Sequence, residues 1–209
     1  MKNSILKIVS IAGVWMMGGV LNSMAIEEAA YRVVSESGRF EIRDYEPHLV
    51  AQVEVDGSLE DAGNRAFRSL FNYIDGENRS RQKIEMTAPV SQSSAGEKIA
   101  MTAPVSQEKS GDRWLVSFMM PAKYSMQTIP EPADPSIVLR EYPARRFAVV
   151  RYSGTWSEKN YQRNLAKLRT WLEEQGIEPE GEPVWARYNA PFVPWFLRRN
   201  EIMIPLRQP

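Results

Sequence analysis

The chain has 209 residues, a length that suits one domain with a substantial core, and its 26 basic side chains balance 26 acidic ones. This balance argues against nucleic acid as the main partner, because nucleic-acid-binding proteins carry a basic surface. With no cysteine and a single histidine, the chain has no disulfide, no thiolate metal site, no cysteine nucleophile and no metal cluster built from several histidines.

The first predicted element is a targeting segment over residues 1–25. Lys2 and Lys7 precede the apolar run Ile8–Leu21. Ser23-Met24-Ala25 then offers small residues where an A-x-A-like cleavage site needs them. The apolar run is short for a transmembrane helix, so we expect a cleaved signal peptide and export to a periplasm or similar compartment. An uncleaved membrane anchor is the alternative. Residues 26–209 would then form a single domain.

Two stretches of the chain resemble each other at an offset of 97 residues. Phe40–Ser58 and Ile137–Thr155 each contain two β-rich runs around a proline-containing turn. The match predicts two pseudo-symmetric β-α-β-β halves, about 31–121 and 136–206. Paired with each other, these halves would form an α+β domain, in which two helices pack on a distorted antiparallel β-barrel or curved sheet.

Each repeated stretch is followed by a predicted helix. The first runs from Leu59 to Ile74, with Ser58 as its N-cap and Gly76 just beyond its end. The second runs from Glu158 to Gln175, between a Ser157 cap and Gly176. Apolar side chains at helical spacing predict the buried faces, which are Leu59, Ala62, Ala66, Leu70 and Ile74 in the first helix and Tyr161, Leu165, Leu168 and Leu172 in the second. Further strands are predicted at Trp114–Met120, Val184–Tyr188 and Glu201–Leu206.

A ten-residue phrase occurs twice in the first half. Lys83–Gln92 reads KIEMTAPVSQ and Lys98–Gln107 reads KIAMTAPVSQ, so nine of the ten positions are identical. Apolar and polar side chains alternate before a proline that can only stand at the edge or end of a strand. We predict two short strand-like segments joined by the loop Ser91–Glu97. A tandem duplication without a chemical role is the alternative.

The doubled phrase and four further segments resemble the SOUL/haem-binding protein family. These segments are Phe40–Tyr45, the F-x-x-L-x-x-Y-I-x-G pattern of Phe67–Gly76, Phe118–Pro121, and Tyr188–Pro191 followed by Arg198–Ile202. The resemblance implies non-covalent binding of haem or a related tetrapyrrole in an apolar surface groove, in a carrier, buffer or sensor. Some animal members carry a histidine, proposed as an iron ligand, at the position that Asp44 occupies here.

A porphyrin needs a flat apolar surface and cations near its rim for two propionates. The candidates lie on the first helix and in the loop that follows Pro191: Arg65, Phe67, Arg68, Phe71, Phe192, Trp195, Arg198 and Arg199. Three alternatives need no ligand in these places. The phenylalanines would widen the buried helix face, the arginines would be solvated, and the loop would cover one end of the barrel or contact a membrane surface or partner protein.

Side chains that could ligate iron are few. His48 is a weak metal candidate, because a lone histidine in a turn between strands is usually a solvated surface residue. Met86 and Met101 occupy equivalent places in the doubled phrase, but methionine also fills cores. Tyr45, Tyr73 and Tyr142 could also ligate ferric iron. Tyr45 and Tyr142, however, suit a pseudo-symmetric structural pair. We therefore expect weak or absent iron ligation.

No catalytic motif is present in the sequence: it lacks G-x-S-x-G, H-E-x-x-H, a Walker loop and a dinucleotide fingerprint. We therefore expect a binding protein rather than an enzyme. One alternative is a general binding module for amphipathic small molecules, because the doubled β-α-β-β plan also resembles the effector-binding domains of bacterial drug-responsive regulators. A less favoured alternative is an enzyme that acts on tetrapyrroles or lipids.

Overall fold

The structure, a computed structural model, describes residues 26–81 and 96–207. The predicted targeting segment, Met86 and the whole first copy of the doubled phrase lie outside these ranges. The predictions made for them stay predictions.

Two long helices and a set of mostly short strands make up the described part of the chain. The helices are α1 (Leu59–Asp75) and α2 (Glu158–Glu174), and a short 3-10 turn covers Trp195–Leu197. The strands are β1 (Glu27–Glu28), β2 (Tyr31–Ser37), β3 (Phe40–Tyr45), β4 (His48–Val55), β5 (Asn78–Arg79), β6 (Thr102–Ala103), β7 (Val105–Ser110), β8 (Arg113–Met119), β9 (Glu131–Pro132), β10 (Val138–Tyr142), β11 (Arg145–Tyr152), β12 (Val184–Arg187) and β13 (Asn200–Pro205).

Nine strands form one antiparallel sheet in the order β10-β4-β8-β7-β12-β13-β11-β3-β2. Without β2 this order is a palindrome of equivalent strands, because β3, β4, β7 and β8 of the first half correspond to β10, β11, β12 and β13 of the second. The pseudo-twofold axis passes between β7 and β12, where Trp185 lies opposite Gln107. Each half also lends its leading strand to the other, since β3 pairs with β11 and β10 pairs with β4. The predicted pseudo-symmetric α+β fold is confirmed, with one leading strand added to each β-α-β-β half.

Two short turns force this sheet to curl. Glu46-Pro47 joins β3 to β4, and Pro143-Ala144 joins β10 to β11, although each pair of strands lies six places apart in the sheet. Three Cα–Cα steps span at most about 11 Å, whereas six strand spacings in a flat sheet would cover about 29 Å. The sheet therefore rolls into a half-barrel, and the two proline-containing turns draw its opposite sides together.

Both helices pack on the outer face of the half-barrel. Alternate residues of β4 and β8, such as Val53 and Val116, form a buried core with α1, and alternate residues of β11 and β13, such as Val150 and Ile202, do so with α2. The predicted caps are confirmed, since the Ser58 and Ser157 side chains accept hydrogen bonds from backbone amides at the helix starts. All the predicted helix-face residues are buried. The intervening strand residues face the inside of the roll.

The second copy of the doubled phrase ends a strand at its proline, as predicted. Thr102–Ala103 forms β6, which pairs in parallel with β1, and Pro104 separates it from β7. The strand after the proline then joins the main sheet between β8 and β12. Met101 is an exposed side chain.

Candidate functional site

The predicted residues of α1 lie partly in the core and partly on the surface. Phe67 is half-buried with its ring edge against Phe118, and its other neighbour is the stacked ring of Phe71, with 5.9 Å between the two centroids. Phe71 is 39% exposed. Arg65 and Arg68 are exposed on the same helix. Phe67 therefore widens the buried face of α1, and Phe71 extends that apolar face to the surface.

The segment Pro191–Leu197, which we call the apolar loop, presents four large side chains to solvent. Phe192 is 87% exposed, Trp195 57%, Phe196 58% and Leu197 65%. Its shape is maintained by Arg198, which donates hydrogen bonds to the carbonyl oxygens of Val193 and Pro191, each at 2.7 Å. The four exposed side chains form an apolar patch of the kind that marks a ligand or partner surface.

One buried arginine connects α1 to the support of the apolar loop. Arg187 of β12 lies 5.2 Å from the centroid of the Trp156 ring, and the guanidinium of Arg198 lies 4.3 Å from the same centroid. On its other side Arg187 reaches α1 at Gly63, where an added Cβ would be 2.4 Å from Nη2. The outer groove is our name for the α1 surface with Phe71, the apolar loop, and Arg187, which contacts α1 at Gly63 and lies beside Trp156.

The predicted residue Arg199 points away from the outer groove. Its guanidinium pairs with Glu28 at 2.8 Å and with Glu201 at 3.0 Å, and it lies 3.7 Å from the centroid of the Tyr188 ring. These partners belong to the inner face of the sheet. The structure leaves Arg65, Arg68, Phe71, Phe192 and Trp195 exposed on α1 and the apolar loop and leaves Phe67 half-buried. Arg198 supports the loop, and Arg199 lies on the inner face of the sheet.

A second concave site lies inside the half-barrel. This inner cleft has a volume of about 480 Å³ and takes its lining from both halves of the chain. Its walls are mainly apolar and aromatic, with Val50, Leu115, Met119, Phe147, Tyr188 and Met203 among them. A volume of this size is typical of small-molecule sites, which span roughly 300–1,000 Å³. The cleft and the outer groove lie on opposite faces of the sheet.

His48 stands at the rim of the inner cleft rather than on open surface. Its Nδ1 lies 2.9 Å from the carbonyl oxygen of Glu46, which can only accept, so Nδ1 is the donor and the lone pair of a neutral imidazole would lie on Nε2. The ring contacts Tyr142 edge-on, with 5.8 Å between centroids. An imidazole held by a backbone carbonyl in this way is oriented as metal-bound histidines usually are. His48 therefore remains a candidate ligand, but for a molecule in the cleft.

The polar groups of the inner cleft are few and mostly engaged. Burial raises the pKa of Tyr142 to about 12, and its hydroxyl donates to Oε1 of Gln52 at 3.2 Å. Tyr45 and Tyr188 bond the Arg43 and Glu201 side chains. Glu108 is the partly buried carboxyl of the cleft, and burial raises its pKa as well. These groups could orient an aromatic molecule through one or two hydrogen bonds.

Sequence patterns pointed to neither the inner cleft nor Arg187. A partial signal was present, because β8 and β12 also carry apolar residues between the core positions, namely Leu115, Met119, Val184 and Ala186. In the run V-W-A-R of β12, Trp185 and Arg187 share the helix-facing side. A single arginine on an otherwise apolar strand face indicates a buried cation.

Residues 26–81 and 96–207 show neither a metal-binding cluster nor a membrane-spanning helix. This part of the chain holds no group of three or more histidine, cysteine, aspartate or glutamate side chains able to bind a metal ion. In the same ranges, no helix combines the length and apolarity needed to cross a membrane.

Comparison with known proteins places the chain in a family. The family model for the SOUL heme-binding protein matches residues 26–205, which is most of the chain. The chain belongs to the SOUL family. Mouse heme-binding protein 1 is 27% identical over 197 residues, covering 90% of this chain and 98% of the mouse protein. Human heme-binding protein 2 is 26% identical over 188 residues, with 87% of each chain covered. The resemblance inferred from sequence motifs is confirmed at the level of the family.

Solved structures share the SOUL fold at low sequence identity. A protein described as a hydrolase from Listeria innocua matches with a TM-score of 0.55 at 11% identity, covering 83% of this chain and 94% of that one. The EcmrR C-terminal domain matches with a TM-score of 0.52 at 12% identity, over 86% of this chain and 99% of that domain. At such identities these likenesses show the fold alone.

Proposed function

We propose that this SOUL protein binds haem or a related tetrapyrrole non-covalently in the outer groove. The observation that carries the proposal is the apolar loop, whose four large side chains remain exposed although Arg198 holds the loop by two hydrogen bonds. Family membership supports the choice of ligand, since the relatives compared above are heme-binding proteins. The protein would act as a carrier, buffer or sensor, and the family supports binding rather than catalysis.

The groove offers what the tetrapyrrole requires. Phe71 and the rings of Phe192 and Trp195 supply aromatic surface for the macrocycle, and Arg65 and Arg68 of α1 supply cations for carboxylates at its rim. The histidine is on the other face of the sheet, at the rim of the inner cleft. Binding through apolar contact without histidine ligation predicts that iron-free protoporphyrin binds about as tightly as haem.

A titration with mutated loop residues tests this proposal. Haemin is added to the purified protein, its Soret band is followed, and Trp195→Ser is compared with the wild type. We expect saturable one-to-one binding that Trp195→Ser weakens about tenfold or more, because the substitution removes an aromatic anchor. The matched control is Val34→Ser, an exposed apolar residue of β2 at 43% exposure. Absence of saturable binding at micromolar haemin would refute the proposal.

The inner cleft supports a second candidate function, the binding of a small aromatic amphiphile. The carrying observation is the enclosed volume of about 480 Å³ with aromatic walls and the Glu108 carboxyl. Competition between haemin, iron-free protoporphyrin and cationic dyes would separate the two functions. Ser117→Leu fills the cleft from β8, so it should abolish dye binding while haemin binding in the outer groove persists. Loss of haemin binding with retained dye binding would place the tetrapyrrole in the cleft.

An enzyme acting on tetrapyrroles or lipids would be indicated by turnover of bound ligand under aerobic reducing conditions.

We also propose that the protein is exported. The support is the sequence pattern of residues 1–25, with a charged start, an apolar run and small residues near Ala25. Cell fractionation with N-terminal sequencing tests it, and a mature chain beginning near Ile26 is expected. Detection of the intact N-terminus in the membrane fraction would favour the uncleaved anchor instead.

Contact of the apolar loop with a membrane surface can be tested by vesicle co-sedimentation of the wild type beside the Trp195→Ser variant.

A further inference from the structure

The outer groove contains a buried cation without an anionic partner among the described residues. Arg187 is only 8% exposed. Its Nε is buried without a hydrogen-bond acceptor, and no carboxylate of the described ranges pairs with its guanidinium. Burial lowers the pKa of Arg187 to about 10, so the side chain is still protonated at neutral pH. A buried charge of this kind is costly unless something pairs with it.

The side chains around Arg187 offset only part of that cost. The guanidinium lies 5.1 Å from the ring centroid of Trp185 and 5.2 Å from that of Trp156, distances that allow cation–π attraction. Aromatic rings attract the charge but accept no strong hydrogen bond from the five guanidinium N–H groups. The Arg187 Nε atom is fully buried and lacks a hydrogen-bond acceptor. The arrangement holds the cation in place and leaves its donors available.

Neighbouring buried polar atoms also lack hydrogen-bond partners. Trp185 Nε1 and Gln107 Oε1 are buried without hydrogen-bond partners, and these two residues lie directly opposite each other on β12 and β7. The Tyr152 hydroxyl, which is also buried, lies beside Trp185 and interacts electrostatically with Arg187, but it makes no hydrogen bond of good geometry. Because native structures satisfy nearly all buried polar groups, such a concentration at one place points to a missing polar ligand or bound water.

The position of Arg187 relates this deficit to the outer groove. Nη2 faces α1 at Gly63, which is eight residues, or about 12 Å along the helix axis, from Phe71. Trp156 separates Arg187 from Arg198 and the apolar loop. A flexible carboxylate arm on a macrocycle held by Phe71 and the loop would therefore enter between α1 and the loop towards Arg187.

From this geometry we infer that Arg187 is the carboxylate-recognition residue of the outer groove. It forms a fork-like pair with one carboxylate of the bound tetrapyrrole, a role for which the sequence patterns had offered Arg65, Arg68, Arg198 and Arg199; of these, Arg198 and Arg199 are engaged elsewhere. Those two side chains already serve the loop carbonyls and the inner ion pairs. This inference rests on the proposed function and adds that the ligand must carry a free carboxylate.

The test compares haemin with haemin dimethyl ester, in which both carboxylates are blocked. A charged hydrogen-bonded pair of this kind is worth about 1.5–3 kcal/mol, or roughly ten- to a hundredfold in affinity. The wild type is therefore expected to bind haemin at least about tenfold more tightly than the ester. Arg187→Met should weaken haemin binding to the level of the ester and leave ester affinity unchanged. Arg169→Met, which removes an exposed cation of α2 outside the proposed groove, is the matched control and should keep the preference.

A second variant covers the case in which Arg187→Met fails to fold. Gly63→Ala keeps the charge but places a Cβ 2.4 Å from Nη2, so the guanidinium must move. This variant should also lose preference for haemin over the ester. Equal weakening of haemin and ester in both variants would mean that Arg187 only supports the groove, which overturns the inference. Equal affinity of the wild type for the two ligands would overturn it as well and leave the proposed function standing. Binding of neither ligand by the wild type would overturn both.

Discussion

Arg43 of β3 and Glu201 of β13 form a two-point ion pair on the inner face of the sheet. Nη1 lies 2.8 Å from Oε2 and Nη2 lies 3.2 Å from Oε1, and both side chains are almost completely buried. The pair reaches across β11, which separates the two strands in the sheet. It therefore ties the leading strand of the first half to the last strand of the second half.

Removing one charge from this pair should destabilise the protein strongly. Glu201→Gln is expected to lower the free energy of unfolding by about 3 kcal/mol, because it removes the fully buried carboxylate that pairs with Arg43 and leaves Glu41 as the remaining carboxylate on that guanidinium. Urea denaturation of wild type and variant measures the difference. Glu54→Gln, at the exposed pair with Arg113, is the matched control and should cost less than about 1 kcal/mol. Similar losses in the two variants would contradict the assigned role of the buried pair.

The same carboxylate predicts a pH dependence. Burial alone would raise the pKa of Glu201, but hydrogen bonds from Arg43 and the charges of Arg43 and Arg199 outweigh it and lower that pKa below the ordinary 4.5. A lowered folded-state pKa stabilises the fold above about pH 4.5, and this stabilisation disappears as the pH falls through the lower value. The difference in unfolding free energy between wild type and Glu201→Gln should therefore shrink between pH 5 and pH 2. A constant difference over that range would contradict a lowered pKa of Glu201 in the folded protein.

Arg187 should make the ligand-free protein less stable than it could be. Replacing a buried, unpaired charge by an apolar side chain of similar length removes the cost of burying that charge. Arg187→Met is thus expected to raise the free energy of unfolding of the ligand-free protein by about 1 kcal/mol or more, while Arg65→Met leaves it nearly unchanged. Thermal and urea denaturation without haemin measure both. A lower stability of Arg187→Met would show that its contacts with the tryptophan rings outweigh the cost of burial.

The two phenylalanines of α1 should separate structure from binding. Phe67→Ala is expected to lower the unfolding free energy by about 2 kcal/mol, because Phe67 packs on Phe118 in the core. Phe71→Ala removes a partly exposed ring, so it should change stability by less than about 1 kcal/mol yet weaken haemin binding. Denaturation and Soret titration of both variants check this division. Unchanged haemin affinity in Phe71→Ala would remove α1 from the binding surface.

His48→Ala reports which face of the sheet carries the tetrapyrrole. His48 lines the inner cleft, on the face opposite to α1 and the apolar loop. In the variant, haemin affinity should therefore stay within about twofold of the wild-type value. The Soret band should keep its position and shape. Loss of binding would instead make His48 an iron ligand and move the site into the cleft. Tyr142→Phe, which keeps the ring beside His48, is the control for damage to the rim.

Local features of this fold follow directly from local sequence. Ser58 and Ser157 cap the helices because a serine oxygen can accept from the exposed amides of the first turn, and this requires only neighbouring residues. Pro47 and Pro143 mark the two turns, and the offset repeat reveals the pseudo-symmetry. Motif resemblance was sufficient to identify the family, because its segments occur in order along the chain.

The placement of the site depended on contacts between distant residues. Gly63 meets Arg187 and Arg43 meets Glu201 only because the sheet rolls up and the two halves exchange strands, and no local pattern encodes which distant strand lies alongside. Alternation along a strand shows that two faces exist, but both faces of this sheet are apolar, so it does not show which one encloses a cleft. The sequence by itself thus determined the helices, their caps, the paired halves and the family. The tertiary structure decided that Arg199 belongs to the inner face, that His48 borders the cleft, and that Arg187 meets α1 in the outer groove, because burial and charge pairing are properties of the assembled sheet.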